Sequence, residues 1–319
     1  MVMNITLKQL EYFIALAEAR NFGRAAVLVH VTQPALSVQI RELEDRLGAK
    51  LVERQPRDIV LTPTGHDVLR HAKRVLAGVR DLQDVTRLRD GLSGRVTLGV
   101  IPTVAPYLLP VALPMLRAQN VNLDLRVRES RTERLMEELQ NGTLDAAVIA
   151  LPTNKAGLVE YPLFQDRFLL AGSSAQISTL AAAPDKLRPT TIDPDRLLLL
   201  EEGHCLSEQA LEVCAMERSA TRVDLSASSL ATLCRLVSEG FGLTFLPEIA
   251  LASECRAVPD MATLRFQDPQ PARVIGLVRR KSSAGDGWFE KLAETLAAAG
   301  RELLPAGECG AGVPPSIEP

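Results

Sequence analysis

The chain has 319 residues, 46% of them hydrophobic and 24% charged, with a formal net charge of −3, which is the balance of a soluble globular protein able to form two or three domains. Its first residues lack the basic-then-apolar order of a secretory signal, and no apolar run approaches the roughly 18 residues of a membrane span. Five cysteines are too few, and odd in number, for a secreted disulfide scaffold, so a cytoplasmic setting is expected, where any disulfide is transient.

Charge is unevenly spread. Residues 1–91 hold 14 Lys and Arg against 11 Asp and Glu, whereas the remainder is net acidic. This permits a nucleic-acid-binding front end without requiring one. In "TLKQLEYFIALAEA", Thr6 precedes Gln9 by three positions as in a capping box, and Leu7, Leu10, Phe13, Ile14, Leu16 and Ala17 keep helical spacing. A second short helix is expected after Asn21. In "TQPALSVQIRELEDRLG", Thr32 caps a third helix, Pro34 sits in its first turn, Leu36, Ile40, Leu43 and Leu47 form its buried stripe, and Gly48 ends it. "KLVERQPRDIVLTPTG" then reads as two β-prone runs around a basic tip.

Residues 64–90 predict a long amphipathic helix, with Leu69, Ala72, Leu76, Val79 and Leu82 along one side, suited to packing on another chain or acting as a spacer. "DGLSGR" (90–95) reads as a hinge. From there strands and helices alternate: strands at 95–100, 123–129 and 144–150, helices at 106–118 and 132–142. A second set has strands at 168–172, 196–202 and 221–226, a helix from about Ser207, and a helix at 228–240. A late strand (272–280) and a final helix (287–300) complete the pattern, and residues 306–319 read as a disordered tail. Two successive α/β units imply a ligand cleft between them.

Three short helices followed by a basic hairpin make a winged helix-turn-helix. Its third helix offers Gln33, Ser37, Gln39 and Arg41 for base edges or phosphates, Thr32 meets a phosphate at the helix start, and Arg54 and Arg57 arm the wing. A helical dimerisation module with solvated charges fits the same periodicity. The segments "LEYFIALAEARNFGRAA", "VTQPALSVQIRELEDRLGAKLVER" and "LTPTG" resemble the N-terminal region of the LysR-type transcriptional regulators, and the order of later segments extends the resemblance to nearly the whole chain. It implies a winged helix-turn-helix at 1–66 with Gln33, Pro34 and Ser37 in the recognition motif, and a dimerising linker helix at 67–90. It also implies an effector domain at 91–305 of two α/β subdomains similar to periplasmic binding proteins. Subdomain I would hold about 95–166 and 270–302, and subdomain II about 167–269. Dimers would pair into tetramers over double-stranded promoter DNA and act on RNA polymerase.

"GHCLSEQALEVC" (203–214) holds Cys205 and Cys214. A zinc site needs three or four ligands, and Cys-x8-Cys with His204 nearby supplies neither the number nor the usual spacing, so no metal or cofactor is expected. Nor is there a Cys-x-x-Cys dithiol, a nucleophile–base–acid set or a phosphate loop, and an enzyme is not expected. Cys205 falls where a strand meets a helix start, a place that favours negative charge, whereas Cys214 lies on an apolar stretch. If the segment is helical, the two Cα atoms are about 13 Å apart, and a disulfide requires the helix to unravel. Inert core cysteines remain the alternative on spacing alone.

"GHCL" with the second cysteine, together with "IPTVAPYLLP" (101–110), resembles the hydrogen-peroxide-sensing branch of the LysR-type regulators. The resemblance implies that peroxide oxidises Cys205 and that Cys214 resolves it as an intramolecular disulfide, activating peroxide-defence genes, with glutaredoxin or thioredoxin systems reversing the change. It also implies that Thr103, His204 and Arg273 position peroxide. Ser207 and Glu208 depart from the basic residue and Asp usual there, and are expected to tune sensitivity. The alternatives are a regulator binding a small organic effector, its cysteines structural, and a solute-binding protein, which the N-terminal helix-turn-helix disfavours. Cys234 is expected in a helical core, Cys255 in a loop and Cys309 in the tail.

Overall fold

A computed structural model describes residues 5–54, 58–84, 94–119, 123–182, 187–214, 227–283 and 287–304. The Arg57 wing tip, most of the 90–95 hinge, the 221–226 strand and the tail expected from sequence lie outside these residues. The chain divides into two compact units, one carried mainly by the N-terminal residues and the other by most of the remaining chain.

In the first unit, the helices α1 (Leu7–Ala19), α2 (Phe22–Leu28) and α3 (Gln33–Leu47) start where polar side chains occupy the free backbone N–H groups. Thr6 and Gln9 form the reciprocal capping box, and Asn21 Oδ1 accepts from Arg24 N at 3.0 Å. Phe13, Leu16, Leu36, Ile40 and Leu43 meet in one apolar cluster. Leu47, expected in that stripe, is 37% exposed. One turn earlier, Glu44 is buried, its Oε1 accepting from Leu51 N (2.8 Å) and Val52 N (3.3 Å) as the chain reverses into the wing. The wing pairs β1 (Val52–Arg54) with β2 (Ile59–Leu61) antiparallel.

The helix α4 (Pro63–Asp84) begins at the proline, with Thr62 Oγ1 accepting from Gly65 N at 2.9 Å. A side chain at Gly65 would strike the Leu51 carbonyl at 2.1 Å, so this close approach needs glycine. Helix α4 has 22 residues against the 13 of α1, on which it packs. Ala72 and Leu76 are buried, but Leu82, near the end that outruns α1, is 71% exposed.

The second unit holds β3 (Gly94–Val100), α5 (Ala105–Gln119), β4 (Leu123–Glu129), α6 (Thr132–Gln140), β5 (Ala146–Leu151) and β6 (Leu158–Ser173), then α7 (Ser174–Ala181), α8 (Cys205–Cys214) and α9 (Leu230–Ser238). It continues with β7 (Thr244–Pro247), α10 (Leu251–Ala257), β8 (Met261–Arg265), β9 (Ala272–Arg280) and α11 (Trp288–Leu303). The strand order is β4-β3-β5-β9-β6-β7, with β8 also on β6. Strands β3, β4 and β5 run parallel, as β-α-β connections require, and β9 returns antiparallel beside β5. The run expected at 168–172 is the last third of the 16-residue β6. Its first part pairs with β9 in one sheet, and its last part pairs with β7 and β8 in the other.

The strand expected at 196–202 does not form. A short turn at Pro194–Arg196 leads into extended backbone with single bridges from Leu197 to Leu243 and from Leu200 to Ala227. Here the Thr244 hydroxyl donates to the Leu198 carbonyl at 2.9 Å, taking the place of a ladder partner. The buried leucines therefore reflect core packing, which apolar content alone does not distinguish from a strand. Helix α10 places Cys255 on a helix, where a loop was expected, and Cys255 is disulfide-bonded.

Candidate functional site

Helix α8 begins at Cys205 itself, two residues before the start expected from sequence. Gly203 makes the preceding turn at φ +83°, a conformation that side-chain-bearing residues rarely adopt, and a Cβ there would meet the Arg131 side chain at 3.2 Å. Arg131 closes over the turn, bonding the Glu202 carbonyl at 2.7 Å and the Glu201 carboxylate at 2.9 Å. His204 is buried, and its carbonyl accepts from Ser207 N at 3.0 Å. Ser207 is buried too, and its hydroxyl donates to the Leu200 carbonyl at 2.8 Å, fastening the first turn of α8 to the segment before it.

Cys205 is a partly exposed free thiol, and Cys214, at the far end of the same helix, is a free thiol only 3% exposed. Burial pushes the Cys214 thiol up to about 11. Nine residues of unbroken helix put the two Cα atoms about 13 Å apart, beyond the reach of a disulfide. Cys205 lines a cavity of about 650 Å³ between the start of α8, the start of α6 and residues 150–155, which end β5 and follow it. Glu208, Gln209 and Glu212 line it from α8, and Thr132, Glu133 and Met136 from α6. Cys234, on α9, is fully buried, which raises its thiol well above the ordinary range.

Thr103 and Arg273 meet each other. Arg273 Nη1 donates to Thr103 Oγ1 at 2.9 Å, Nη2 to the Thr103 carbonyl at 3.3 Å, and Nε to Asp166 Oδ2 at 2.9 Å. Asp166 also accepts from Ile249 N at 3.0 Å, and the guanidinium lies over the Phe168 ring. Nearby in sequence, the buried Tyr107 hydroxyl donates to Glu254 Oε1 at 2.7 Å, joining α5 to α10. Neither Thr103 nor Arg273 is among the residues lining the Cys205 cavity. Sequence reasoning missed Asp166, Tyr107 and Glu254. A buried arginine requires a counter-charge, and the lone acid within "LFQDRFLL" was the available signal for Asp166.

Among the DNA-binding candidates, Gln33, Pro34 and Arg41 are exposed on α3, and Ser37 is half-buried. Thr32 Oγ1 is committed to its cap on Ala35 N at 3.4 Å, and Gln39 turns toward α1, accepting from Gln9 at 3.2 Å. Val38, which sequence reasoning passed over, is exposed on the same helix. Arg54 closes strand β1, and its side chain and Arg57 lie outside the described parts. No helix among the described residues is long and apolar enough to cross a membrane, and no cluster of potential metal ligands occurs among them.

A winged helix-turn-helix in one unit and paired α/β subdomains in the other define a DNA-binding module joined to an effector-type domain. Residues 7–66 match the bacterial regulatory helix-turn-helix of the lysR family, and residues 89–301 match the LysR substrate binding domain. The chain belongs to the LysR family of transcriptional regulators. It is 38% identical over 300 residues to a probable hydrogen peroxide-inducible genes activator of Streptomyces viridosporus, covering 93% of this chain and 95% of that protein. It is 37% identical over 295 residues to the DNA-binding transcriptional dual regulator OxyR of Escherichia coli K12, covering 92% and 95%. Among solved structures, a full-length OxyR from Pseudomonas aeruginosa with a cysteine-to-aspartate substitution matches with TM-score 0.72 and 32% identity, over 93% of this chain and 98% of that one. A peroxide-bound OxyR from Corynebacterium glutamicum with a cysteine-to-serine substitution matches with TM-score 0.62 and 35% identity, over 94% of each chain.

Proposed function

We propose that this chain is a DNA-binding regulator that senses hydrogen peroxide through Cys205 and stores the signal as a Cys205–Cys214 disulfide. The observation that carries the reading is the placement of two free thiols at opposite ends of α8, one lining a cavity and one buried. The relatives' names, hydrogen peroxide-inducible genes activator and OxyR, support the choice of oxidant. The Cys205 sulfur attacks one peroxide oxygen, the O–O bond breaks, hydroxide leaves, and a sulfenic acid forms. Cys214 then attacks that sulfur and water leaves, closing the disulfide. Because the thiols start about 13 Å apart, closure unwinds α8 and breaks the Ser207–Leu200 bond, converting a local oxidation into a change of fold.

In this reading His204 adjoins the reacting thiol, Thr103 and Arg273, which bond each other outside the lining of the Cys205 cavity, complete the peroxide-positioning set once the site rearranges, and Ser207 and Glu208 tune it. Ser207 acts by holding the first turn of α8. Gln33, Pro34, Ser37 and Arg41 contact promoter DNA, with Thr32 and the helix start, Gln39, and the wing residues Arg54 and Arg57 completing the interface. Homodimers pair into tetramers on DNA, RNA polymerase is the downstream partner, and glutaredoxin or thioredoxin-type dithiols reset the switch in the cytoplasm.

The test is peptide mass mapping of the reduced full chain before and after micromolar peroxide, combined with promoter footprinting. A loss of two hydrogens in a linked Cys205–Cys214 peptide, with a footprint that shifts and stays occupied, supports the reading. Peroxide-dependent transcription that survives Cys205→Ser defeats it. The size of the cavity also accommodates a small organic effector, and a ligand copurifying with the reduced chain would favour that second reading.

A further inference from the structure

The lining of the Cys205 cavity is acidic. Glu208 and Glu212 lie one turn apart on α8, Glu133 lies in the first turn of α6, and all three are exposed at its edge, with Lys155 the cation among them. Among the described residues, none of these carboxylates is held in an ion pair, and Arg131, beside Gly203, is already paired with Glu201. The same lining contains Thr132 Oγ1 and Gln209 Oε1, both buried without a hydrogen-bond partner. Such atoms favour a small guest that donates or exchanges hydrogen bonds. Like charges around a cavity lower the local concentration of an anion and raise that of a cation, and a neutral molecule is indifferent to them.

We propose that Glu133, Glu208 and Glu212 form a charge filter over Cys205, admitting neutral and cationic thiol-reactive molecules and retarding anionic ones. The filter rests on Cys205 being the reactive thiol of the proposed function. Its physiological consequence is selection for uncharged peroxide over anionic oxidants, and slow access for small anionic thiols. Because the carboxylates are exposed, their effect is screened over a Debye length of about 8 Å at physiological salt and about 3 Å at 1 M.

The experiment uses the reduced full-length chain and three methanethiosulfonates of similar size, carrying a trimethylammonium, no charge, or a sulfonate. In each, the cysteine thiolate displaces methanesulfinate and forms a mixed disulfide, read at Cys205 by peptide mass. Rates are normalised to those of an unstructured cysteine peptide. The expected cation-to-anion preference is on the order of tenfold at low salt, falls toward unity near 1 M salt, and rises in Lys155→Gln. It is largely abolished in the Glu133→Gln, Glu208→Gln, Glu212→Gln variant, which changes only exposed side chains. A change in the acidity of the thiol would move all three reagents together and leave the ratio intact.

A ratio equal to that of the free peptide, a ratio unmoved by salt and by the triple variant, or no adduct at Cys205 with any reagent overturns the proposal. A normal charge ratio in a chain whose Cys205 is not oxidised by peroxide upholds the filter and defeats the peroxide reading, so the two fail separately.

Discussion

Arg273 and Asp166 stand opposite each other in the antiparallel register of β9 and β6, their side chains fully buried and 2.9 Å apart. The pair sits where β6 leaves one sheet for the other. Arg273 reaches from it to Thr103 just before α5, and Asp166 reaches to Ile249 just before α10. One ion pair thus ties together the segments that join the two subdomains, with the Tyr107–Glu254 bond as a second tie.

Removing one partner of this pair strands a buried charge. Arg273→Met is expected to cost about 3–5 kcal/mol of stability, whereas replacing both residues with apolar ones recovers much of that loss. Urea denaturation of the single and double variants checks this. A double variant no more stable than the single one would show that the pair is not the source of the cost.

The hydroxyl of Ser207 is expected to restrain the switch. Ser207→Ala leaves the buried Leu200 carbonyl without that donor and should loosen the start of α8 by about 1–3 kcal/mol. Disulfide closure after peroxide should then be faster, since the helix unwinds more readily. Stopped quench with peptide mapping measures the closure rate in the variant and the parent.

The two thiols of α8 should differ in native reactivity. With iodoacetamide at neutral pH, Cys205 is labelled while Cys214 and Cys234 are protected, and all three are labelled in urea. Burial holds the Cys214 thiol near 11, so whatever native labelling it shows should climb with pH up to that region. Equal labelling of Cys205 and Cys214 at neutral pH would contradict this geometry.

Glu44 makes the stability of the first unit depend on acid. Burial by itself would raise its carboxyl, but Lys50 at 2.8 Å and the N–H groups of Leu51 and Val52 outweigh that effect and hold it below its ordinary value. A depressed carboxyl contributes stability above its unfolded pKa of about 4.5, and that contribution is lost as the pH falls through the folded value. Glu44→Gln is therefore expected to lower stability by about 1–3 kcal/mol at pH 7, with the gap narrowing in acid. Thermal melts across pH provide the measurement.

Neighbouring residues are enough to set where the N-terminal helices start and stop. Thr6, Asn21 and Thr32 cap their helices because a side-chain oxygen three residues upstream is a local event, and the spacing of Phe13, Leu16, Leu36, Ile40 and Leu43 fixes which faces are buried. The cysteine pair was legible for the same reason, since its distance along a helix follows from residue count. Tertiary structure alone decided which leucines form a strand, that Leu47 yields its place to Glu44, and that Ser207 is buried. It also decided that Arg273, 107 residues beyond Asp166, is its partner. These outcomes depend on which backbone groups and charges arrive from distant segments. A buried charge or an unpaired carbonyl is satisfied by whatever the fold brings to it, and local pattern carries no record of that partner.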